Sequence, residues 1–391
     1  MAELNREEYL SKLESFRDRP DIVKIITGVR RSGKSTILDQ FRRRLESSGE
    51  DVVYANLEEL AFTVDTDREL NAYVRENMGS KDAYVLLDEV QMVRGWEKVV
   101  NALRAGGANV YVTGSNARVL SSDFTTIIGG RYVEIHVLPF SFKEFLMRYP
   151  PHGDVRTQQR FDQYLIEGGI PMVDLEDDPV KNRMIMDGVF DSIVSRDVTV
   201  RSGMDIQTVR RMTTFMYSNV GNLTTLESLM GGAGIGDRRT ADRYLEAITD
   251  SYVFYRANRY DLIGKKLMKV SAKYFASDTG LRNTALGHTD DGASGLLENV
   301  VFLELKRRGY DVVVGSYRDY EVDFTVRKNG ETGFIQVAKT LESESTANRE
   351  VRPLRLLKGS GDRMVLTMDR DLPDADEGVM YVNLVDWLQG A

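Results

Sequence analysis

The 391-residue chain contains no cysteine. Disulfides, thiolate zinc sites and cysteine nucleophiles are therefore excluded from the outset. Histidine is nearly absent too. His136, His152 and His288 are the only three, far apart in sequence, and make a poor basis for an imidazole metal site. No stretch approaches the ~18 uninterrupted apolar residues of a membrane-spanning helix. The N-terminal run MAELNREEYLSKLESFRDRPD lacks an apolar core of signal-peptide length, so the expectation is a cytoplasmic protein. Positive charge is not in excess: 52 Lys and Arg face 60 Asp and Glu, for a net charge of −8. That rules out a globally basic nucleic-acid coat but not a local basic face. There is no internal repeat and no low-complexity tract. What is present is an ordinary folded composition, 42% hydrophobic and 29% charged, long enough for two or three domains at roughly 150 residues each.

Leu4, Tyr9, Leu10, Leu13 and Phe16 recur at helical spacing among charges and predict an amphipathic helix. Five short apolar runs follow: IVKIIT (22–27), VVYANL (52–57), YVLLDEV (84–90), NVYVTGS (109–115) and YVEIHVL (132–138). Helical segments such as 37–49 and 97–105 alternate with them. Short continuous apolar strands between amphipathic helices predict an α/β domain with a buried parallel sheet, covered on both faces. This first domain is expected over 1–150, ending where YPPHGD breaks the pattern. Residues 151–290 read as mostly helical, closing in the short strands and turns of FYRANRYDLIGKKLMKVSAKYFASD (254–278). Helices followed by a β-ribbon give the outline of a winged helix-turn-helix. From 291 to 391 strands and helices alternate again, as a small third α/β domain.

The sharpest local signal is Gly28-Val29-Arg30-Arg31-Ser32-Gly33-Lys34-Ser35-Thr36. It matches G-x-x-x-x-G-K-[ST], the phosphate-binding P-loop, and lies between a predicted strand and a predicted helix, as that chemistry requires. Backbone N–H groups must curl around the phosphates, and a Cβ at Gly28 or Gly33 would obstruct the turn. Lys34 supplies a point charge to the β- and γ-phosphates of ATP, and Ser35 a hydroxyl to Mg2+. The strand YVLL ends in Asp88-Glu89. Asp88 is assigned to Mg2+ and Glu89 to polarising the attacking water. After the strand NVYVT, Ser115 and Asn116 are candidate sensors of the γ-phosphate. Arg131, with Arg118 second, is the candidate arginine acting on a neighbouring subunit's nucleotide.

GVRRSGKST, LLDEVQ with a tryptophan shortly after, VTGSNARVLSS and GGRYVEIHVLPFSFKEF, followed by KYFASDTGLRN, LLENVVFLELKRRG and EVDF, together resemble one family. It is the bacterial and archaeal group of AAA-type ATPases known simply as ATP-binding proteins, whose P-loop domain precedes a C-terminal domain of unknown function. The resemblance runs from about residue 20 to 355. It implies an AAA+ core, Mg-ATP binding, a winged-helix middle and a nuclease-like C-terminal fold, and it implies no particular substrate.

The middle region is a basic island. Between Ser195 and Phe275 there are thirteen Lys or Arg and eight Asp or Glu. Arg238, Arg239 and Arg243 would open the second helix of a helix-turn-helix, facing a major groove of double-stranded DNA. Lys265 and Lys266, with Arg256 and Arg259, would lie on or beside the wing and meet phosphates. In the third domain, Glu298, Asp323 and Gln336 fit the plan of a restriction-endonuclease-like metal site, in which residues i and i+2 of a strand share one face. The lysine of that plan is missing, because residue 338 is Ala and Lys339 falls on the opposite face. The expectation is a degenerate site. The overall reading is an ATPase that handles DNA or a partner and can assemble as a homo-oligomer. Its rivals are a nucleotide-gated scaffold that barely hydrolyses and an ATP-dependent nuclease.

Overall fold

Val23–Thr27 is buried at every residue, as a strand covered on both faces must be. In the computed structural model, which describes residues 3–60, 63–153, 155–200, 203–287, 293–357, 361–372, 375 and 378–390, this strand is β1 of a five-stranded sheet. With β2 (Val52–Asn56), β3 (Tyr84–Asp88), β4 (Asn109–Thr113) and β5 (Tyr132–His136) it runs in the order β2-β3-β4-β1-β5. Every pairing is parallel, as the apolar runs predicted. Alternation along the strands sorts two cores. Val23, Ile25, Val85, Leu87, Val110 and Val112 pack with Leu70, Val74, Trp96 and Leu103 of the helices Asp67–Asn77 and Trp96–Ala105. Ile26, Leu86, Tyr111 and Ile135 pack with Tyr9, Leu10, Ile37 and Phe41 of the helices Glu7–Glu14 and Lys34–Ser47. Because β1 adjoins β4, and β4 adjoins β3, the loops leaving the carboxyl ends of these three strands lie side by side, where ligands of open parallel sheets bind.

This sheet and its helices form one compact unit, Met1–Val137 together with Asp250–Tyr252. Leu138–Thr249 and Val253–Ala391 form the second. Its eight strands are β6 (Leu223–Thr225), β7 (Phe254–Asp261), β8 (Lys266–Ala276), β9 (Asp311–Tyr317), β10 (Tyr320–Lys328), β11 (Glu331–Ala338), β12 (Asp362–Thr367) and β13 (Val379–Asn383), ordered β13-β12-β11-β10-β9-β7-β8-β6. The sheet is mixed, with β7/β8, β6/β8, β9/β10 and β10/β11 antiparallel and β7/β9, β11/β12 and β12/β13 parallel.

The boundary expected near 290 falls inside this unit. The ribbon read as a wing joins the strands read as a third domain, Arg259 pairing with Val314 and Asp261 with Ser316. Sequence periodicity reports that a strand exists, not which strand it pairs with, so a sheet assembled across a helical segment was not readable. The shared core includes Phe275, Phe302 and Phe324, with Phe275 stacked on Phe302 at 4.3 Å between ring centroids. Among the described residues no helix is long and apolar enough to cross a membrane.

Candidate functional site

The loop after β1 carries two glycines that the fold requires. Gly28 has φ +140°, and a Cβ there would stand 2.1 Å from the Val137 carbonyl oxygen. Gly33, at φ 98°, is the left-handed residue from which the helix Lys34–Ser47 starts. Between them Arg31 also sits at φ 68°. The loop therefore turns tightly into a helix N-terminus, a ready anion site. Lys34 is buried and folds back over the loop, donating to the carbonyls of Gly28 at 3.0 Å and Val29 at 3.1 Å. Ser32 Oγ is buried with no hydrogen-bond partner among the described residues. A cradle closed to a Cβ, a parked ammonium and an unspent hydroxyl all suit a phosphate chain. Ser35 and Thr36 are exposed at the start of the helix.

Two arginines brace this loop. Arg30 is buried, 3.8 Å from Glu58. Arg6, from the turn preceding the first helix, is buried over the Tyr9 ring and donates to the Ser32 carbonyl at 3.0 Å. Sequence reasoning missed Arg6. Nothing in a charged, helix-like N-terminal segment marks which arginine turns inward.

Asp88 and Glu89 end β3 beside this loop. Asp88 is buried and takes hydrogen bonds from the Thr113 hydroxyl, at 2.5 Å, and from Ser35. Burial pushes its carboxyl above the ordinary carboxylate range, and those two hydroxyls, with Lys34, pull against the rise. Ser35 and Asp88 form a hard-oxygen pair, the donor chemistry that suits Mg2+. Glu89 is left-handed at φ 54°, ψ 48°, and its N–H donates to Thr113 Oγ1 at 2.8 Å. The Glu89 carboxylate accepts from Gln91 Nε2, which also reaches Ser115 Oγ at 3.4 Å. Ser115 and Asn116 are both buried directly beyond Thr113. Thr113 was read only as the end of a strand, yet its hydroxyl joins both acids. A polar residue closing an apolar run was the available signal.

Arg131 lies elsewhere. Its carbonyl accepts from the N–H of Val23, so it stands at the amino end of β1 and β5. The phosphate loop is at the other end, on the order of 13 Å away at about 3.3 Å per strand residue. Arg131 is thus no part of its own chain's phosphate site, because it precedes a strand parallel to β1. The side chain of Arg118 lies outside the description. Of the histidines, His136 shares a hydrogen bond with Thr27 Oγ1 at 2.8 Å, His152 faces Pro150 and Arg160, and His288 lies outside the described residues. Among the described residues no group of three or more His, Cys, Asp or Glu side chains is arranged to hold a metal ion.

In the second unit the structure brings Glu298, Asp323 and Gln336 together. Asp323 N–H donates to Gln336 Oε1 at 3.2 Å, and Val337 N–H donates to Asp323 Oδ2 at 2.9 Å. The β9/β10 register shifts between Val322 and Thr325, an irregularity that spans Asp323. Residue 338 remains Ala, but a different lysine reaches the cluster from β8. Lys273 Nζ lies 2.8 Å from Glu298, 2.7 Å from Glu321 and 3.4 Å from Asp323. Lys339 is exposed. Burial, then the Asp323 charge, pushes the Glu298 carboxyl up to about 8, while Lys273 restrains it. Burial likewise raises Asp323.

The basic residues of the middle region are exposed at Arg238, Arg239, Arg243, Lys265 and Lys266. Arg238 pairs with Glu227 at 2.9 Å. The order there is helix Ile206–Ser218, strand β6, helix Leu226–Ala233, helix Arg238–Asp250, then the β7–β8 hairpin.

A parallel sheet with this glycine-rich loop defines a P-loop protein. Residues 21–146 match the family described as AAA domain, and residues 158–292 match a domain of unknown function, DUF8612. The chain is 37% identical over 401 residues to an uncharacterized protein of Haemophilus influenzae, covering 99% of each, and it belongs to the family of that protein. An uncharacterized protein of Methanocaldococcus jannaschii is 28% identical over 351 residues, 85% of this chain and 78% of that one. Among solved structures, the Walker-type ATPase paby2304 of Pyrococcus abyssi is similar at 15% identity and a TM-score of 0.46, over 72% of this chain and 95% of that one.

Proposed function

We propose that the chain binds ATP with Mg2+ at the loop Gly28–Thr36 and hydrolyses it, and that hydrolysis serves the handling of double-stranded DNA. The observation that carries the ATPase reading is the convergence of Lys34, Ser35, Asp88, Glu89 and Thr113 on the carboxyl ends of β1, β3 and β4. On this reading Lys34 leaves the Gly28 and Val29 carbonyls for the β- and γ-phosphates, and the loop N–H groups hold the chain of phosphates. Ser35 and Asp88 would hold Mg2+, which when bound neutralises phosphate charge. Glu89 takes a proton from water as the water oxygen bonds to the γ-phosphorus. The bond to the β–γ bridging oxygen breaks, and ADP leaves with that electron pair. Asn116 and Ser115 sense the γ-phosphate, and Arg131 serves only a neighbouring chain in a homo-oligomer.

The DNA part rests on the helix Arg238–Asp250 and the β7–β8 hairpin, which follow the winged-helix order and expose Arg238, Arg239, Arg243, Lys265 and Lys266. Phosphate release measured with and without duplex DNA, in wild type and Lys34→Ala, tests both parts. Turnover that survives Lys34→Ala removes the site assignment, and turnover or affinity indifferent to DNA and to Arg239→Ala/Arg243→Ala removes the DNA part. Tight ATP binding without phosphate release favours the gated scaffold.

The nuclease reading does not fit the second unit's cluster. The Lys273 ammonium stands among the carboxylates where a divalent cation would have to enter, so the cluster is its own counter-ion.

A further inference from the structure

We propose that Gln91 is a positioning residue for the hydrolytic step: its amide fastens the Glu89 carboxylate and ties it to Ser115, so that the γ-phosphate end of the nucleotide, met at Ser115, governs where Glu89 points. The inference rests on the ATPase reading above.

The chemistry of the amide leads to this role. An ionised carboxylate only accepts hydrogen bonds, so the amide nitrogen, not its oxygen, must face Glu89. Gln91 Nε2 does so, contacting Glu89 Oε2 and also Ser115 Oγ at 3.4 Å. One NH2 group thereby spans the residue after β3 and the residue two beyond β4. Those are the two positions that the hydrolytic reading assigns to water activation and γ-phosphate sensing.

The backbone explains why residue 91 can reach back to residue 89. Glu89 is held left-handed, at φ 54°, a conformation that a non-glycine residue adopts only where its surroundings impose it. Here Thr113 Oγ1 accepts the Glu89 N–H and donates to Asp88. The turn Val90–Met92 follows at once and buries Val90. That turn aims Gln91 over the carboxylate.

The other end of the amide shows that the site keeps this group at a cost. Gln91 Oε1 is buried without a hydrogen-bond partner among the described residues. Buried carbonyl oxygens are seldom left so, and an exception calls for a use. Room for it is made by Gly114, where a Cβ would lie 3.0 Å from Gln91 Oε1 and 2.3 Å from Val119 Cγ2. A glutamine kept only for packing would be served as well by an apolar side chain of its length, which would bring no unsatisfied oxygen.

Gln91→Met keeps the length and removes both donor and acceptor, and Gln91→Glu sets a second carboxylate against Glu89. The measurements are steady-state phosphate release, binding of a fluorescent ATP analogue, and thermal unfolding. Misplacing a reacting group by about 1 Å costs on the order of 10²-fold. Gln91→Met is therefore expected to lower kcat by about 10- to 100-fold, with KM, analogue affinity and unfolding temperature unchanged. Gln91→Glu is expected to lower kcat further.

A merely structural role would not predict the outcome in a Glu89→Gln background. There Gln91→Met is expected to add no further loss, because Gln91 acts through Glu89. The inference is overturned if Gln91→Met keeps kcat within twofold, if its loss multiplies in full with that of Glu89→Gln, or if kcat falls only alongside affinity and stability. Turnover in the wild type that Lys34→Ala abolishes keeps the ATPase reading standing under any of those results. Absence of Lys34-dependent turnover overturns that reading and this inference together.

Discussion

The two units each bury a lysine among acids, and they do so to opposite effect. In the first, Lys34 is satisfied by carbonyls of its own loop, and the acids Asp88 and Glu89 are satisfied by Thr113, Ser35 and Gln91. The Lys34 bonds shown here go to backbone carbonyls, which a bound phosphate could replace. In the second, Lys273 is committed to Glu298, Glu321 and Asp323 at once. Coulombic contacts at that depth are strong, but they repay a heavy desolvation cost only while every partner stays. On the proposed ATPase reading the first arrangement is remade by a ligand, whereas the second is held by ion pairs within the chain.

The comparison can be broken most sharply at the lysines and at Glu89, the proposed general base. Glu89→Gln is expected to lower phosphate release by about 10²- to 10⁴-fold, the usual worth of a general base, while analogue binding and unfolding temperature hold. A comparable loss of stability in that variant would make Glu89 a structural residue like those around Lys273. Lys273→Met leaves three carboxylates facing one another and is expected to cost the second unit about 3–5 kcal/mol, read by denaturant titration. ATP binding by the first unit should survive.

The two tryptophans make the units separately visible, since Trp96 is buried in the first and Trp387 in the second. They also report opposite pH dependences. Lys24 is buried, donates to the Arg19 carbonyl at 2.7 Å, and is lowered by burial to about 7 from 10.5. Between pH 7 and 10.5 the unfolded chain holds that proton and the folded one does not, so stability of the first unit rises with pH. Glu298 is raised to about 8 from 4.5. Between those values the folded state holds the extra proton, so stability of the second unit falls as pH rises. Single-tryptophan variants unfolded across pH 5–10 are expected to show the two midpoints moving in these opposite directions, and parallel movement would refute the contrast.

The smallest expected effect is at Thr66, whose side chain caps the helix Asp67–Asn77 in a reciprocal box with Glu69. Thr66→Ala should cost about 1 kcal/mol in the Trp96 signal and leave turnover per folded molecule unchanged. A change in turnover would mean that stability and the phosphate site are coupled across the first unit.

Much of the first unit was legible because its demands are local. A glycine-rich turn, an apolar strand ending in two acids and a helix after the lysine are consecutive residues, and spacing alone carries their chemistry. The apolar runs were enough to announce a parallel sheet, since strands buried on both faces, as β1, β3 and β4 are, have no polar side to show. The partners that complete the site were not legible. Arg6, Thr113 and Gln91 act through where their side chains turn, and the sequence does not say that Arg131, expected to act on a neighbouring subunit's nucleotide, stands at the amino end of β5 away from its own chain's loop. In the second unit the sequence named Glu298 on a helix, with Asp323 and Gln336 on strands, from the plan of a nuclease-like site. It did not bring Lys273 to that cluster, because Lys273 arrives from a strand assigned to another domain. Hydrophobic periodicity and short motifs are written along the chain, whereas strand order, the pairing of β7 with β9, and the meeting of charges fifty residues apart exist only once non-local contacts have closed.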